Sequence, residues 1–371
     1  MTNKPSFKPL RVAVVGPGGI GGACIKEILR EPALDLVAVL AFNPASAGKD
    51  AGELVGKPST GITVTNDVES FLAVPADCVV YAGAPPFDTF MEDLAVRLLE
   101  SGCNVISSTG FFFPPAQGEE SLRRLEDACR RGNASLHGTG ENPGFMLERL
   151  AVTASAVANT IERISVEEAV DCSRIVGEAM KQFGFGRDPA EMQAGGPLDP
   201  VWRKYLFVES VHQTGVQLFG ERPDRVEHKP SYHPAQETIE LPIMTIEPGQ
   251  VGIINHRFVG FYGDDPKISL EVTWYLRRQD APFDNIGSSD HWRIEIEGKP
   301  TSIRIDAAAL ASVDRNSELH EGDPTIPSYY ITAALITQAI PVVCAAPAGI
   351  VYPQFFSHGG TLQKFRNGQS S

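Results

Sequence analysis

Two short stretches of the sequence contain residues that could bind or transform a small molecule. The first is GPGGIG at residues 16–21, which lies between the β-branched run at residues 10–15 and apolar residues at helical spacing. Gly16 permits a tight turn, Gly18 lets a pyrophosphate approach the backbone, and Gly21 lets helix and strand pack closely. Backbone amides at the start of the helix, at Gly19 and Ile20, would bind the negatively charged pyrophosphate. This stretch therefore predicts a dinucleotide site.

The second stretch is LHGTGENPGF at residues 136–145, in which three glycines and a proline surround Glu141 and Asn142. A simple turn needs fewer special residues. The stretch follows a predicted strand, so we expect Glu141 and Asn142 to lie near the nicotinamide of the dinucleotide. A carboxyl group can give a proton there, and an amide can bond cofactor or substrate. We expect Pro143 and Gly144 to start a helix.

The elements around these two stretches alternate between strand and helix through the first half of the chain. Such alternation predicts a parallel, doubly wound sheet, and ligands bind beyond the carboxyl ends of its strands. The predicted strands cover residues 10–15, 34–41, 78–82, 104–107 and 134–138, and the helices include residues 87–100 and 119–131.

Small and hydroxyl-bearing residues follow two of these strands. Small residues let backbone amides approach a dinucleotide, and hydroxyls can bond its ribose or its nicotinamide amide. A water held near Thr109 is an alternative proton source to Glu141. The predicted cofactor contacts are Ala82, Gly83 and Ala84 after one strand, and Ser107, Ser108 and Thr109 after the next.

The end of the second strand bears on which nicotinamide cofactor binds. NAD enzymes tend to carry a carboxylate there for the ribose 2′-hydroxyl, whereas this chain has Asn43, Ser46 and Lys49. With no carboxylate to repel a 2′-phosphate and a lysine in reach, we expect NADPH to be accepted, with NAD also possible. The alternative is that Lys49 is merely a solvated helix residue.

Charge and cysteine content exclude several other classes of protein. The 371 residues include 32 basic and 46 acidic ones, a net charge of −14 that disfavours nucleic acid and anionic membrane as partners. The six cysteines form no C-x-x-C pair, which fits a reducing cytoplasm. We expect no leader, and no stretch approaching the roughly 18 apolar residues of a membrane span.

The second half of the chain predicts an α+β domain on an open, mainly antiparallel sheet. Residues 161–172 alternate as a strand, with Glu168 on the apolar side, and further strands follow between residues 238 and 305. Glu168 is either paired structurally or reaches the site. The Gly- and Pro-rich residues 183–200 predict a mobile loop or lid before a helix at residues 200–219.

Histidines in this half lack metal-ligand spacing, so we expect no metal. His256 shares the parity of Ile254 and Phe258, which makes it either a satisfied core residue or a substrate contact. His228 and His233 are expected to stand alone in a Pro-rich loop.

The predicted domain limits are a Rossmann domain at residues 1–145, a substrate and dimerisation domain at residues 146–327, and a C-terminal helix and tail at residues 328–371. Residues 328–340 are apolar nearly all round, so this helix should be buried on several sides and return to the first domain.

Four motifs together resemble a known family. They are GPGGIGG, AGKDAGELVG, GTGENPGF at residues 138–145, and QAIPVVCAAPAGIV at residues 338–351. The chain resembles the NAD(P)-dependent amine dehydrogenases, such as 2,4-diaminopentanoate dehydrogenase, within the dihydrodipicolinate reductase-like group. The resemblance implies a Rossmann domain joined to an α+β domain that carries substrate and forms a dimer. It also implies hydride transfer between nicotinamide and a C=N carbon.

One departure from the family pattern concerns its ammonium-binding carboxylate, which the resemblance places just after the strand that ends at Ser107. Gly110 and Phe111 stand there in this chain. An apolar side chain cannot hold ammonia or manage its protons, which disfavours reductive amination with free ammonia. The His-rich catalytic stretch of dihydrodipicolinate reductase is also missing from the sequence.

Glu141 could replace that carboxylate, because the family usually has an apolar residue at its position. Phe111, Phe113 and Phe145 would wall an apolar cleft together with Phe112, and desolvation there would raise the pKa of Glu141 toward neutrality. Alternatively, Glu141 caps the helix after Pro143, and the phenylalanines only pack between domains.

These observations predict an NAD(P)H-dependent oxidoreductase that reduces a C=N bond, or a related C=O or C=C bond, of an apolar or aromatic small molecule. An imine reductase is one form of this prediction. One alternative is an amine dehydrogenase whose ammonium site is rebuilt around Glu141. Another is a sensor or scaffold that binds NADP(H) without chemistry.

Overall fold

The structure is a computed structural model that describes residues 8–83, 89–175, 179–198, 205–283, 290–311 and 323–353. The chain forms two compact units. The first comprises Met1–Glu141 with Tyr329–Tyr352, and the second comprises Asn142–Ser328 with Pro353–Ser371. The chain passes between them at the bond from Glu141 to Asn142, four residues before the predicted boundary. Residues 354–371 of the predicted tail lie outside the described part.

The first unit is built on a six-stranded sheet in which every pairing is parallel, as predicted. The strands lie in the order β2-β1-β3-β4-β5-β14. From β1 the chain adds β2 on one side and β3 on the other, and doubly wound folds bind nucleotides at such a switch point. The strands are β1 (Leu10–Val15), β2 (Leu34–Leu40), β3 (Cys78–Tyr81), β4 (Asn104–Ser107), β5 (Ser135–Gly138) and β14 (Gly349–Ile350).

Helices connect these strands and cover them with apolar side chains. Val12, Val14, Val79 and Val105 are almost fully buried, as expected of strands covered on both faces. The helices are α1 (Gly19–Arg30), α2 (Ala51–Leu54), α3 (Val68–Leu72), α4 (Thr89–Glu100) and α5 (Glu119–Gly132), with 3₁₀ turns at Pro44–Ser46 and Pro114–Gln117. The start of the predicted helix at residues 87 and 88 lies outside the described residues.

The second unit is built on a mixed six-stranded sheet in the order β13-β12-β6-β11-β10-β7. All its pairings are antiparallel except that of β6 with β11, so the prediction of a mainly antiparallel sheet is confirmed. The strands are β6 (Thr160–Asp171), β7 (Arg225–Pro234), β10 (Val251–Tyr262), β11 (Asp265–Tyr275), β12 (Asp290–Lys299) and β13 (Ile303–Ala308), and a separate hairpin pairs β8 (Ile239–Glu240) with β9 (Thr245–Ile246).

Strand β7 corrects the prediction of a Pro-rich loop around His228 and His233. Both histidines lie within this strand, which pairs along most of β10 at the edge of the sheet. An edge strand tolerates proline because one side of its backbone has no ladder to complete. The prolines at positions 230 and 234 therefore concealed a strand.

The helical parts of the second unit also differ from prediction. A helical segment runs from a π-type turn at Met146–Ala151 through α6 (Val152–Ala154) to a 3₁₀ turn at Ser155–Val157. Residues 183–198 are not simply a loop, because they contain α8 (Pro189–Gly195), which the Asp188 side chain caps. The remaining helices are α7 (Ala179–Phe183) and α9 (Phe207–Phe219), with 3₁₀ turns at Cys172–Arg174 and Arg278–Asp280. Residues 200–204 of the predicted helix are outside the described part.

Helix α10 (Pro327–Ala345) is less buried than its composition suggested. Tyr330, Ala333, Ile336 and Ile340 form one buried stripe at helical spacing, whereas Val342 is 64% exposed. Among the described residues it is the one helix long and apolar enough to cross a membrane, judged by length and composition alone. The expectation that no stretch approaches the length of a membrane span is therefore wrong by helix length and composition. Buried core helices of soluble proteins can meet the same two criteria.

Candidate active site

The glycine loop after β1 has the shape that a pyrophosphate cradle requires. Gly16 has φ +82°, and a Cβ there would lie 2.7 Å from the carbonyl oxygen of Gly83. A Cβ on Gly21 would lie 1.9 Å from the oxygen of Gly16, so helix α1 packs directly on the turn. At Gly18, by contrast, a Cβ would meet nothing within 4 Å. The loop is tight where it must pack and open where a ligand would approach.

The start of helix α1 fits an anion. Gly18 is the N-cap residue and offers no side chain to bond the first amides of the helix. Those amides, at Gly19, Ile20 and Gly21, have no partner within a regular helix and carry its positive dipole end. Gly18 and Gly19 are also exposed. These residues would hold the pyrophosphate of a bound dinucleotide.

The corner after β2 brings the three predicted 2′-phosphate contacts close together. The amide of Ser46 donates to the carbonyl of Asn43 at 3.0 Å, and the amide of Lys49 donates to that of Ser46 at 3.3 Å. Two successive turns thus fold Asn43, Ser46 and Lys49 into one corner, with Asn43 and Lys49 exposed. Lys49 precedes helix α2 and does not lie within it.

A carboxylate also lies at this corner, at Asp50, but it is used to hold the backbone. Its oxygens accept from the amides of Gly52, Glu53, Thr60 and Gly61. These hydrogen bonds hold the pKa of Asp50 below its usual range, with that from Thr60 the largest cause. Asp50 caps helix α2 and pins residues 59–61, which leaves Lys49 as the charge that a 2′-phosphate would meet.

The exits of β3 and β4 carry the other predicted cofactor contacts. Ala82 and Gly83 follow β3, and Gly83 packs against Gly16, while Ala84 lies outside the described residues. Ser107 is fully buried, and its Oγ accepts from the amide of Thr109 at 3.2 Å. The Ser108 hydroxyl is buried and has no partner among the described residues, so it is available to a ligand. The Thr109 hydroxyl faces the sulfur of Met91 at 3.8 Å.

Glu141 is the last residue of the N-terminal segment of the first unit and is only 9% exposed. Its amide donates to Oγ1 of Thr332 on helix α10 at 3.2 Å, so its main chain is held within that unit. The helical segment that follows begins at Met146, and its N-cap residue, Phe145, offers no side-chain bond. The alternative in which Glu141 caps this helix is therefore wrong. The carboxylate that does reach back is Glu148, which accepts from the amide of Gly144 at 3.0 Å.

The predicted phenylalanine wall falls in two different units. Phe111 has φ +65° and is 1% exposed, and the Phe113 ring lies 5.7 Å from that of Tyr352. Both side chains pack inside the first unit. Phe145 lies in the second unit, half-buried, with the Arg149 guanidinium 5.6 Å from its ring centre. A role for these rings in substrate binding stays a prediction.

Asn142 begins the second unit and contacts a buried carboxylate. Its Nδ2 donates to Oε2 of Glu168 at 2.6 Å, and the indole Nε1 of Trp292 donates to the same oxygen at 2.6 Å. Burial raises the pKa of Glu168 from 4.5 to about 7, assisted by the charge of Asp290 and opposed by these two hydrogen bonds. Glu168 thus lies near half-ionisation at neutral pH.

His256 lies on the covered face of the second sheet, 0% exposed, with Nδ1 2.9 Å from Nε2 of His228. Burial lowers the pKa of His256 to about 3, with a smaller contribution from His228, so the imidazole is neutral. The ring meets Trp274 edge to face at 5.5 Å. These contacts are those of a core histidine, and its role as a substrate contact stays a prediction. The described residues contain no group of three potential ligands placed to hold a metal.

Comparison with known proteins places these two units in one family. The model of the 2,4-diaminopentanoate dehydrogenase C-terminal domain matches residues 145–354, more than half of the chain, and that of the dihydrodipicolinate reductase N-terminus matches residues 10–134. The chain belongs to the 2,4-diaminopentanoate dehydrogenase family. It is an NAD(P)-dependent oxidoreductase.

Individual relatives agree with this assignment. An amine dehydrogenase of Streptomyces virginiae is 26% identical over 333 residues, which cover 85% of this chain and 89% of the relative. The 2,4-diaminopentanoate dehydrogenase of Acetoanaerobium sticklandii is 22% identical over 192 residues, 51% of this chain and 54% of the relative. The structure of an amine dehydrogenase from Mycobacterium smegmatis has the same fold, with a TM-score of 0.72 at 20% identity, covering 93% of this chain and 95% of that one.

Two features of this family member were not predicted from its sequence. Thr139 lies in the exit of β5, is 1% exposed, and has a hydroxyl with no partner among the described residues. The sequence signal that could have identified Thr139 is its place in the TGEN motif, two residues before Glu141. The pairing of Glu168 with Asn142 was also not predicted. The sequence shows only that Glu168 lies on the apolar face of its strand, and its partner is 26 residues away.

Proposed function

We propose that this dehydrogenase family member reduces the C=N bond of an apolar or aromatic small molecule with NADPH. The observation that carries the proposal is the buried side chain of Glu141 at the carboxyl exit of β5, whose backbone amide donates to Thr332. Ligands of doubly wound sheets bind at this edge. The Streptomyces virginiae relative, named an amine dehydrogenase, supports chemistry at a carbon–nitrogen bond.

The cofactor would be held by residues of the first unit. The open backbone at Gly18 and the amides that start helix α1 would receive the pyrophosphate. Lys49 would meet the 2′-phosphate, because Asp50 is already bound by backbone amides. Ser108 and Thr139 would offer hydroxyls to the nicotinamide end. When bound, NADPH supplies a hydride to the substrate carbon.

The proton that reduction of a neutral imine requires would come from Glu141. Its low exposure keeps bulk water from competing for that proton, and its fixed main chain limits where the carboxyl group can reach. A water near Thr109 is the alternative donor.

The second candidate function is reductive amination by an amine dehydrogenase. Two of its relatives, an amine dehydrogenase and a 2,4-diaminopentanoate dehydrogenase, favour it. Against it, the place expected for an ammonium-binding carboxylate holds Gly110 and the buried Phe111. A Cβ at Gly110 would lie 2.8 Å from the Met91 methyl carbon, so a larger residue there would first need that side chain to move.

The test is NADPH oxidation by the purified protein with two substrates, 2-phenyl-1-pyrroline and acetophenone, each with and without ammonium chloride. We expect turnover of the cyclic imine that is independent of ammonium. Turnover of the ketone only when ammonium is present would replace our proposal by amine dehydrogenation. Tight cofactor binding without turnover on a broad panel of imines and carbonyl compounds would indicate a sensor.

We further propose a cytoplasmic homodimer, which rests on the separated cysteines, the net charge of −14 and the family resemblance. Light scattering of the purified protein at several concentrations measures the oligomeric state directly.

A further inference from the structure

The side-chain amide of Asn142 has two ends with opposite hydrogen-bonding character, and the structure uses only one. Its Nδ2 donates to Glu168 at 2.6 Å. Its Oδ1 is buried, and no donor among the described residues reaches it. A buried acceptor without a donor is unfavourable, so this oxygen is a place where a hydrogen bond from a ligand N–H or O–H would stabilise the complex.

Glu168 decides which end of Asn142 is left over. An ionised carboxylate can only accept, so the end of the amide that faces it must be the Nδ2 donor. Trp292 donates to the same Oε2 at 2.6 Å from directly across the sheet, which fixes the carboxylate itself. Two strong bonds on one oxygen thus turn Oδ1 of Asn142 away from Glu168.

Few charged groups surround Glu168. On β12 the charged neighbour is Asp290, which is 2% exposed. The thiol of Cys172 lies just beyond the end of β6. Its pKa is raised, first by burial and then by the charges of Asp290, Asp171 and Glu168. On β11 the residue opposite is the apolar Val272. Among the described residues no cation compensates Glu168, so its charge is held by hydrogen bonds alone.

We propose that Glu168 is a positioning residue that presents Oδ1 of Asn142 to the substrate nitrogen and thereby selects C=N over C=O. This inference rests on the proposed function. Once Glu141 has given its proton to the imine nitrogen, the N–H so formed can donate to Oδ1, as an amine N–H can, whereas a ketone oxygen is itself an acceptor and is repelled by it. Were the amide turned over, Nδ2 would donate to a carbonyl oxygen, and the selectivity would fall or reverse. Asn142 is suited to this place because it directly follows Glu141, our proposed proton donor.

Glu168→Gln tests the proposal with almost no change of volume. The glutamine side chain can accept from Nδ2 or donate to Oδ1, so it no longer dictates the orientation of Asn142. We expect the ratio of kcat/KM for 2-phenyl-1-pyrroline over acetophenone to fall about tenfold, the size of effect expected from one charge-assisted hydrogen bond. The matched control is Glu167→Gln, on the other face of the same strand, whose pKa is also raised, chiefly by burial. It should leave the ratio unchanged.

A double-mutant cycle shows whether Glu168 acts through Asn142. Asn142→Ala should lower the same ratio, and adding Glu168→Gln to it should lower it no further. Effects that multiply would overturn the proposal. Because Glu168 is ionised only above about pH 7, the wild-type ratio should also rise between pH 6 and pH 8. That rise should be absent from Glu168→Gln and present in Glu167→Gln.

Binding without chemistry separates this inference from the proposed function. The protein loaded with NADP⁺ is titrated with 1-phenylethylamine, which has N–H donors, and with acetophenone, which has only an acceptor, in a calorimeter at pH 8. A preference for the amine that is lost in Glu168→Gln supports the inference, even if no imine is ever turned over. Equal affinities in the wild type, or a preference that survives the substitution, overturn it even if imine reduction is observed.

Discussion

The amide of Glu141 donates to Oγ1 of Thr332 at 3.2 Å, across 191 residues of sequence. Glu141 closes the first unit before the chain enters the second, and Thr332 lies on helix α10, which returns to the first unit near the end of the chain. Thr332 is 5% exposed, so neither partner can readily exchange this bond for water. The C-terminal helix therefore fixes the backbone of our proposed proton donor.

Replacing Thr332 by alanine should loosen that backbone. The substitution leaves a buried amide without its acceptor, which destabilises by about 1–3 kcal/mol. Thr337→Ala is the matched control, because its hydroxyl bonds only to carbonyls of the same helix. Thermal unfolding should show a clearly lower Tm for Thr332→Ala than for Thr337→Ala. Equal losses would mean that the Thr332 bond contributes little.

Glu141→Gln removes the proton but keeps the shape of the side chain. If Glu141 is the acid, kcat for imine reduction should fall by about 100-fold, the lower range for loss of a general acid. The dissociation constant for NADPH, measured by nicotinamide fluorescence, should change little. An unaltered kcat would transfer the proton step to another group, such as a water near Thr109.

Gly18 and Gly21 allow cofactor binding and folding to be tested separately. Gly18→Val places its side chain in open space, so the fold should persist while the pyrophosphate is blocked. Gly21→Ala places its Cβ 1.9 Å from a backbone oxygen and should destabilise the protein instead. Circular dichroism and NADPH titration of both variants distinguish the two effects. Retained NADPH affinity in folded Gly18→Val would show that the pyrophosphate lies elsewhere.

The glycine loop could be predicted from sequence because its signal is local. Its three glycines, a preceding apolar strand and a following helix stand within about twenty residues, and each rule acts over that range. The parallel sheet could be predicted for the same reason, because the alternation of strands and helices is visible in short stretches of sequence. The corner at Asn43, Ser46 and Lys49 is also made by short-range turns, and the role of these residues in cofactor binding stays a prediction.

Strand β7 and the pairing of Asn142 with Glu168 could not be predicted in this way. The prolines of β7 are tolerable only because it is an edge strand, and strand position in a sheet is set by long-range pairing. Trp292 lies 124 residues from Glu168 in sequence, so no local pattern shows that they meet. The helix-cap interpretation of Glu141 failed because the helical segment starts at Met146, beyond its reach as an N-cap.

Lys49→Ala tests the choice between the two nicotinamide cofactors. Lys49 is exposed, and the carboxylate beside it is bound by backbone amides, so the lysine charge should act on a 2′-phosphate alone. We expect the affinity for NADPH to fall about tenfold and that for NADH to change less than twofold, by analogy with one exposed charge–phosphate contact. Salt should diminish the wild-type preference. Equal losses for both cofactors would remove Lys49 from the 2′-phosphate site.

The last prediction concerns stability, because Glu168 titrates in a range where the protein is handled. Its pKa is raised on folding, from 4.5 to about 7, so the folded state holds its proton more tightly than the unfolded chain. The stability that this proton contributes is complete below pH 4.5 and is lost as pH rises through 7. The pKa difference corresponds to about 3 kcal/mol, at about 1.4 kcal/mol for each pH unit.

Glu168→Gln, which never ionises, should therefore gain stability over the wild type between pH 5 and pH 8. Urea unfolding of both proteins across this range measures the gain. A difference in stability that stays constant with pH would show that Glu168 keeps an ordinary pKa, and the rise of the selectivity ratio between pH 6 and pH 8 should then be absent as well.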